Sequence, residues 1–318
     1  MLRPLIIVLA AASVVCAQAH ADDSRPAWAG SAVGVSNTVS ALTLDPGAEP
    51  NYNPYYAVGI SVAPRWAFAP WVSLSGSIAA THEVTEADGT TMSDETLLSD
   101  TGLSLGLSGA KIPGIGVGLS GGIKATFPTS LASRAQTLQV GVTPSLRLSK
   151  RFAILEGLTL GYGGSVRINA HAYTTSARKA PRIASCRGAD CAEFLNTGVR
   201  NSQYQTANTV SLGLGLTKWL GLSSSFGVYT SHLYEGQTVD EVSLIATEPT
   251  DTRYAVSYGL SARIGPFAGL TTSIGASTFN PQLAPNSTYY RPVFNRYTQL
   301  SIDLSFDISS VVASKDKG

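Results

Sequence analysis

The sequence predicts an all-β protein: a transmembrane, antiparallel, up-and-down β-barrel of about twelve strands. Three observations predict this class. Segments of alternating apolar and small polar residues fill the chain, the connections between them alternate in length, and charged residues make up only 14% of the sequence. Side chains alternate across a strand, so each such segment gives one apolar and one polar face. Soluble domains carry about 25% charged residues, whereas Gly, Ser and Thr dominate the polar face here.

The alternation is clearest between Thr209 and Tyr234, a stretch that predicts a hairpin turning tightly at Trp219-Leu220-Gly221. A soluble β-sandwich shows the same alternation with its apolar face in a core, so this hairpin alone leaves two fold classes open. Its apolar positions alternate with small or polar ones: Val210, Leu212, Leu214, Leu216, Leu222, Phe226 and Val228 against Thr209, Ser211, Gly213, Gly215, Thr217, Ser223, Ser225 and Gly227.

The same pattern recurs along the whole chain and predicts twelve strands. Each is at least as long as the roughly 9–11 residues that a tilted transmembrane strand needs. Asn37 breaks the apolar parity of the first segment. The strands are expected near 31–43, 55–68, 71–83, 98–110, 114–127, 136–149, 157–174, 206–219, 220–234, 252–264, 267–279 and 295–308.

The connections sort by length, which a sandwich has no reason to do. Those after even-numbered strands are short, whereas those after odd-numbered strands are mostly longer and polar: 44–54, 84–97, 128–135, 175–205, 235–251 and 280–294. Short turns at one rim and long loops at the other are typical of outer-membrane barrels. Aromatic residues also lie near both sets of connections, as expected of two girdles at the membrane interfaces. Both chain ends are then expected at the short-turn rim, facing the periplasm.

The N-terminus predicts a secretory signal peptide, because a basic residue and an apolar run precede Ala19-His20-Ala21. Cys16 raises a lipoprotein signal as an alternative, but Val15 stands where that signal needs a small residue. No later apolar stretch is long enough for a membrane-spanning helix, and a closed barrel is the other backbone that lipid permits. The expected division is a signal peptide at 1–21, a barrel at 22–308 and a periplasmic C-terminal tail at 309–318.

With these features the chain resembles the Gram-negative outer-membrane β-barrel proteins, in the broad porin-like sense, over essentially its mature length. The resemblance implies an outer-membrane location and contact with membrane lipid and lipopolysaccharide. It rests on the signal peptide, the loop lengths and the aromatic girdles, and no subfamily motif accompanies them. Such barrels commonly finish on an aromatic residue, whereas here Phe306 and Ile308 are followed by a ten-residue tail, SSVVASKDKG.

Motifs that carry chemistry are weak, so the sequence predicts no enzyme, cofactor or metal site. The run Gly116 to Gly121 matches GxGxxG, but a strand follows where a dinucleotide site needs a helix. The barrel hydrolases pair His-x-Ser on one strand, and His82, His171 and His232 all lack that spacing. Acidic residues between Glu83 and Asp100 lack the spacing of a calcium loop and are expected to be solvated.

The longest loop, 175–205, predicts a small disulfide ring between Cys186 and Cys191, since a secreted chain permits such a bond. That loop is also basic, whereas loops 84–97 and 235–251 are acidic. Two interpretations remain open: the loop covers the barrel mouth or contacts anionic lipopolysaccharide and the acidic loops, or it is solvated and inert. Its basic residues are Arg178, Lys179, Arg182, Arg187 and Arg200.

Strand parity predicts which charged side chains line the lumen. The surplus is cationic, so the hypothesis is a narrow, mildly anion-favouring channel. Pairing between Arg263 and Asp307, both near the short-turn rim, is one expected contact. The predicted lumen-lining charges are Lys124, Arg147, Arg167, Arg263, Asp303 and Asp307.

Three functions follow from these predictions. The first is a passive or weakly selective pore for small solutes, and the second is a non-enzymatic subunit of an envelope-spanning machine for export, secretion or surface motility. The second would bring periplasmic or envelope-complex proteins as partners. The third, an outer-membrane hydrolase, has the least support because the His-Ser spacing is missing. A formal net charge of +1 gives no reason to expect nucleic acid, and the oligomeric state stays open.

Overall fold

A computed structural model describes residues 26–44, 54–85, 94–176, 199–235, 251–267, 269–281 and 294–309. A 3-10 turn, Ala41–Leu44, and a short helix, Leu131–Ala135, lie between strands. The fourteen strand segments are β1 Ala32–Ser40, β2 Tyr56–Ala63, β3 Arg65–Ala69, β4 Val72–Glu83, β5 Thr96–Leu98, β6 Thr101–Ile112, β7 Val117–Phe127, β8 Leu138–Phe152, β9 Leu158–His171, β10 Ser202–Gly215, β11 Leu220–Leu233, β12 Thr252–Phe267, β13 Leu270–Pro281 and β14 Thr298–Asp307.

These segments form a closed, antiparallel barrel of twelve strands, which confirms the predicted fold class. Pro64, which has no N–H to donate, separates β2 from β3, but both segments pair with β4 and form one barrel strand. β5 and β6 likewise both pair with β4. β1 pairs with β14 on one side and β2 on the other, so the sheet has no open edge. This is the architecture of the outer-membrane β-barrels.

One predicted strand shifts by four residues: the eighth, expected at 206–219, is β10, Ser202–Gly215. The reason is a hydrogen-bonded turn at 216–219. The backbone N–H groups of Leu216 and Thr217 donate to the Leu220 carbonyl at 2.9 and 3.0 Å. The Thr217 hydroxyl accepts from the Leu220 N–H at 3.0 Å. Trp219 therefore lies in the turn. Apolar parity alone does not show that β10 ends before this residue.

The predicted sorting of the connections is confirmed. Five connections have two to five residues, and all of them lie at one end of the barrel, here called the short-turn rim. The other six have ten or more residues and define the long-loop rim. Ala32, which begins β1, pairs with Asp307, which ends β14, so both lie at the short-turn rim. The predicted signal peptide, 1–21, and residues 310–318 of the predicted tail lie outside the described residues.

The apolar side chains lie on the outside of the wall. Val210, Leu260 and Ile274 are 55%, 64% and 48% exposed, although they sit in mid-strand. Among the described residues, only five hydrophobic side chains are buried, and three of those are alanines. A soluble protein instead buries most of its Leu, Ile and Val. The wall thus has an apolar exterior and no packed apolar core.

Asn37 lies on this apolar exterior and explains the parity break in the first strand. Its neighbours in the sheet are Ile302 on β14 and Val58 on β2, both outward-facing. The Tyr56 hydroxyl donates to the Asn37 side-chain oxygen at 3.2 Å. The amide is therefore held by a cross-strand aromatic partner, which the sequence pattern could not show.

Aromatic side chains mark the two ends of the wall, as the sequence predicted. At the short-turn rim, Trp66, Phe68 and Trp219 are 52%, 63% and 52% exposed. At the long-loop rim, Tyr173 and Tyr254 are 59% and 50% exposed. Amphipathic rings prefer the membrane–water interfaces, so two bands separated by an aliphatic belt fit a wall that spans a bilayer. Among the described residues, no helix is long and apolar enough to cross a membrane.

Arginine at position 260 tests which face of the wall contacts lipid. Leu260 faces outward and pairs with Ala276, while its neighbour Ser277 faces the lumen. In phospholipid vesicles, Leu260→Arg is expected to lower the free energy of unfolding by about 2–4 kcal/mol, the penalty for a lipid-facing cation. Ser277→Arg is the control and should change it much less. Urea titration followed by tryptophan fluorescence measures both, and equal penalties would contradict the assigned faces.

Candidate functional site: the barrel lumen

The inner face of the barrel is built from glycine and serine, often directly opposite one another. Gly34 pairs with Ser61 and Gly259 pairs with Ser225. A methyl group on these glycines would lie 2.6 and 2.8 Å from the hydroxyl oxygen of the paired serine. The hydroxyl of each serine therefore occupies the space that a side chain on the opposite glycine would need. The result is a thin inner wall that leaves the lumen open to longer side chains elsewhere.

Three predicted lumenal cations lie on three adjacent strands: Lys124 on β7, Arg147 on β8 and Arg167 on β9. Arg147 pairs with Ser120 and Gly163, which places it on the inner face, whereas Leu146 is outward and 52% exposed. The Arg167 Nε donates to Asn169 Oδ1 at 2.8 Å. Together the three side chains form a basic arc on one side of the lumen.

Asp303 lies on the opposite side. Its strand, β14, is six strands from β8 in a ring of twelve, so the carboxylate and the basic arc face each other. Ser301 donates to Asp303 Oδ2 at 3.0 Å. Arg263 lies in the same row, since Arg263 pairs with Ser273 and Ser273 pairs with Asp303.

The register therefore aligns Arg263 with Asp303, and not with Asp307 as nearness to the rim suggested. Asp307 instead accepts hydrogen bonds from the Ser309 N–H at 2.9 Å and the Ser309 hydroxyl at 2.6 Å. Nearness to one rim does not fix register in a barrel whose strands are staggered. The alignment of Arg263 with Asp303 follows only from the pairing of β12 with β13 and of β13 with β14.

The sequence reasoning missed several inward charges, among them Arg65 and Glu83. Arg65 on β3 pairs with Ser75, and its Nη1 donates to the Ala29 carbonyl at 2.7 Å. Glu83 ends β4, is only 1% exposed and accepts from the Thr85 hydroxyl at 2.9 Å. The sequence assigned Glu83 to a solvated acidic loop. The signal that could have placed it is its parity with the serines of β4.

Glu83 also perturbs a tyrosine at the long-loop rim. Tyr55 precedes β2 and donates its backbone N–H to the Thr43 hydroxyl at 2.9 Å. Burial, and secondarily the Glu83 carboxylate, raise the pKa of Tyr55 above its usual value. Both effects disfavour a second negative charge, so Tyr55 stays a neutral phenol beside a buried acid.

A cavity of about 350 Å³ opens on the inner wall between β7 and β10. That volume is at the low end of the range for small-molecule sites. Among its described lining residues, Arg147 carries the one charged side chain, and the rest of the lining is mainly hydroxyl and backbone. Such a surface presents a cation and neutral hydrogen-bonding groups to a solute. Its inward-facing lining residues are Ser120, Ser145, Arg147, Gly163, Ser165 and Thr209.

The histidines of the described residues, His82, His171 and His232, lie near the long-loop rim and have ordinary structural partners. His82 Nδ1 lies 2.9 Å from the hydroxyl of Thr96, its direct cross-strand neighbour, and Nε2 lies 3.1 Å from Asp94 Oδ1. His232 stacks on Tyr204 at 4.3 Å between ring centroids. In the described part of the chain, no three His, Cys, Asp or Glu side chains converge as a metal site would require.

The base of the longest loop is a buried hydrogen-bonded network. Arg200, predicted to belong to an exposed basic loop, is 5% exposed, and its Nη1 donates to Asp251 at 2.6 Å and to the Tyr234 carbonyl at 3.2 Å. Asn201 is 3% exposed and donates to the Gln136 carbonyl at 2.7 Å. This network joins three hairpins at the rim.

Outside the described residues lie Arg178, Lys179, Arg182, Arg187, Cys186 and Cys191, so the disulfide stays a prediction.

Comparison with known proteins shows limited likeness. No protein-family model and no curated protein matches the chain. Among solved structures, the NanC porin is 9% identical, with 86% of this chain and 98% of that chain covered and a TM-score of 0.46. LpxR from Salmonella typhimurium is 13% identical over 86% and 99% of the two chains, with a TM-score of 0.39. The Pseudomonas putida toluene transporter TodX is 10% identical over 89% and 91%, with a TM-score of 0.32. Scores this low transfer no role, and the fold rests on the chain's own strand pairing.

Asn201→Ala tests whether the network at the loop base is structural. Asn201 accepts from the Ser176 hydroxyl at 2.6 Å and donates to the Gln136 and Tyr173 carbonyls, so alanine leaves buried polar groups behind. The expected loss is about 1–3 kcal/mol of unfolding free energy. Gln203→Ala, two residues away at an exposed position, is the control. Urea titration in vesicles measures both, and an unchanged midpoint for Asn201→Ala would show that the network adds no stability.

Proposed function

We propose that the protein is an outer-membrane, porin-like channel for passive diffusion of small solutes. The observation that carries the proposal is the distribution of side chains, which is the reverse of that in a soluble protein. Apolar side chains are exposed on the outside of the barrel, and small polar and charged ones face inward. An apolar exterior of this extent is costly in water but suits lipid. A lumen lined by Gly, Ser and free cations suits hydrated solutes.

The orientation follows from the two rims. Outer-membrane barrels carry short turns on the periplasmic side and long loops outside. Both ends of the barrel lie at the short-turn rim, so the termini are proposed to be periplasmic. A signal peptide at 1–21, cleaved after Ala21, would deliver the chain to that compartment.

The charges favour a mild preference for anions. The side chains of Lys124, Arg147 and Arg263 make no hydrogen bond or ion pair within the part of the chain that the structure describes. The opposing Asp303 is held by Ser301 and supplies one negative charge against the basic arc. Charged rings on a pore wall set ion preference, and unpaired charges act more strongly than neutralised ones. Cations therefore dominate the field that a permeating ion meets.

Ion selectivity in planar bilayers tests the channel directly. Under a potassium chloride gradient, the wild-type reversal potential is expected to show chloride more permeant than potassium. The double variant Arg147→Gln, Arg167→Gln should move the preference towards potassium, because two cations leave the basic arc while its shape is largely retained. Asp303→Asn is the matched control and should move it towards chloride.

Two results would contradict the proposal in different ways. If the wild type prefers cations, or if the double variant does not change the ion preference, the basic arc does not have the role assigned to it. Absence of any conductance removes the channel itself and favours the alternative, a structural subunit of an envelope-spanning machine. Pull-down of periplasmic proteins with and without residues 309–318 then tests that alternative.

A further inference from the structure

One row of inward-facing residues crosses the wall from Arg147 on β8 to Phe279 on β13. The register connects them without interruption: Arg147 to Gly163, Gly163 to Thr209, Thr209 to Gly227, Gly227 to Ser257 and Ser257 to Phe279. The four residues between the ends are two glycines, a threonine and a serine. A large inward side chain therefore stands at each end of a shallow floor.

The floor is open near its basic end. A methyl group added to Gly163 would meet no atom within 4 Å. The 350 Å³ cavity lies here, lined by Arg147, Gly163, Ser165 and Thr209 among others. The Arg147 guanidinium reaches over β9, since its Nη2 lies 3.8 Å from the position of a methyl group on Gly161. The cation therefore reaches across β9 over Gly161, one inward position nearer the short-turn rim, and leaves the space above Gly163 open.

The other end of the floor is aromatic. Tyr229 lies with its ring over Gly227, where an added methyl group would be 2.9 Å from the ring edge. Its ring centroid is 5.1 Å from that of Phe279, at an interplanar angle of 55°. Phe279 is 52% exposed, and its odd parity on β13 places it in the lumen, opposite in direction to Ile274. The Phe279 ring thus packs on Tyr229 and leaves about half of its surface open to the lumen.

The distance between the two ends matches a small molecule. β8 and β11 are three strands apart, which is about 14 Å of wall at a strand spacing near 4.8 Å. The reach of Arg147 over β9 removes about one strand spacing from that gap. A carboxylate attached to a ring would fill the remainder, with the anion at the guanidinium and the ring on Tyr229.

We propose that this row is a solute-binding cleft for small organic anions that carry a flat apolar ring, such as an aromatic carboxylate. The inference rests on the proposed channel and names its preferred solute class. Arg147 takes the anionic group by charge-assisted hydrogen bonds. Tyr229 and Phe279 take the ring by stacking. Gly163 and Thr209 admit the molecule because they add little bulk to the floor between Arg147 and Tyr229.

The test compares benzoate with acetate, which share a carboxylate and differ in the ring. Reversal potentials under sodium benzoate and sodium acetate gradients give the benzoate-to-acetate permeability ratio of the full-length chain in planar bilayers. Phe279→Ser is expected to lower this ratio about threefold, the scale of one lost ring contact. Phe279→Tyr should retain it. Phe226→Ser, the same change at an outward-facing position on β11, is the control and should leave the ratio unchanged.

The outcomes separate this inference from the channel. Chloride preference with a ratio that Phe279→Ser does not alter overturns the cleft and leaves the channel standing. If the protein does not conduct, saturation-transfer NMR of the detergent-solubilised chain decides the cleft independently. Transfer to benzoate but not acetate, abolished by Phe279→Ser and by Arg147→Gln, supports it. Equal transfer to both anions overturns it.

Discussion

The structure depends on the pairing of β1 with β14. Nine residue pairs join the first and last strands, from Ala32 with Asp307 to Ser40 with Gln299. Without that pairing, two edges would expose backbone N–H and carbonyl groups to lipid, where each unsatisfied group costs several kcal/mol. Closure satisfies them within the wall. Once the wall is closed, side chains need only suit what lies on each side, so apolar residues go outward and small polar ones inward.

In the part of the chain that the structure describes, the lack of a packed apolar core has consequences for the lumen. Inward-facing residues do not have to meet the close-packing requirement of a soluble core. The small serine side chains that lie over Gly34 and Gly259 keep the wall thin. Long inward side chains therefore project into the lumen from a wall of glycine and serine. The basic arc, the opposing Asp303 and the Tyr229–Phe279 pair become the features that a solute meets. Function in such a molecule depends on a few projecting groups placed by register.

Sequence reasoning reached the fold because the period-2 pattern and the loop lengths are local signals. Strand parity is a local signal too, and it predicts that Lys124, Arg147 and Arg167 face inward. What it missed depends on register between strands distant in sequence. The alignment of Arg263 with Asp303 and the row from Arg147 to Phe279 each require the stagger of the barrel. Arg200 is paired with Asp251, fifty-one residues away, which no local pattern indicates.

The central claim is that one wall separates lipid from lumen, and spin-label accessibility along Thr209–Tyr234 tests it most directly. Single cysteines are introduced along the hairpin on a background in which Cys186 and Cys191 are serine, and the protein is placed in vesicles. Even-numbered positions such as Val210 and Val228 should be accessible to oxygen, which concentrates in lipid. Odd-numbered positions such as Ser211 and Ser225 should be accessible to a water-soluble nickel complex. Accessibility without a period of two, or even-numbered positions that meet the nickel complex, would contradict the account.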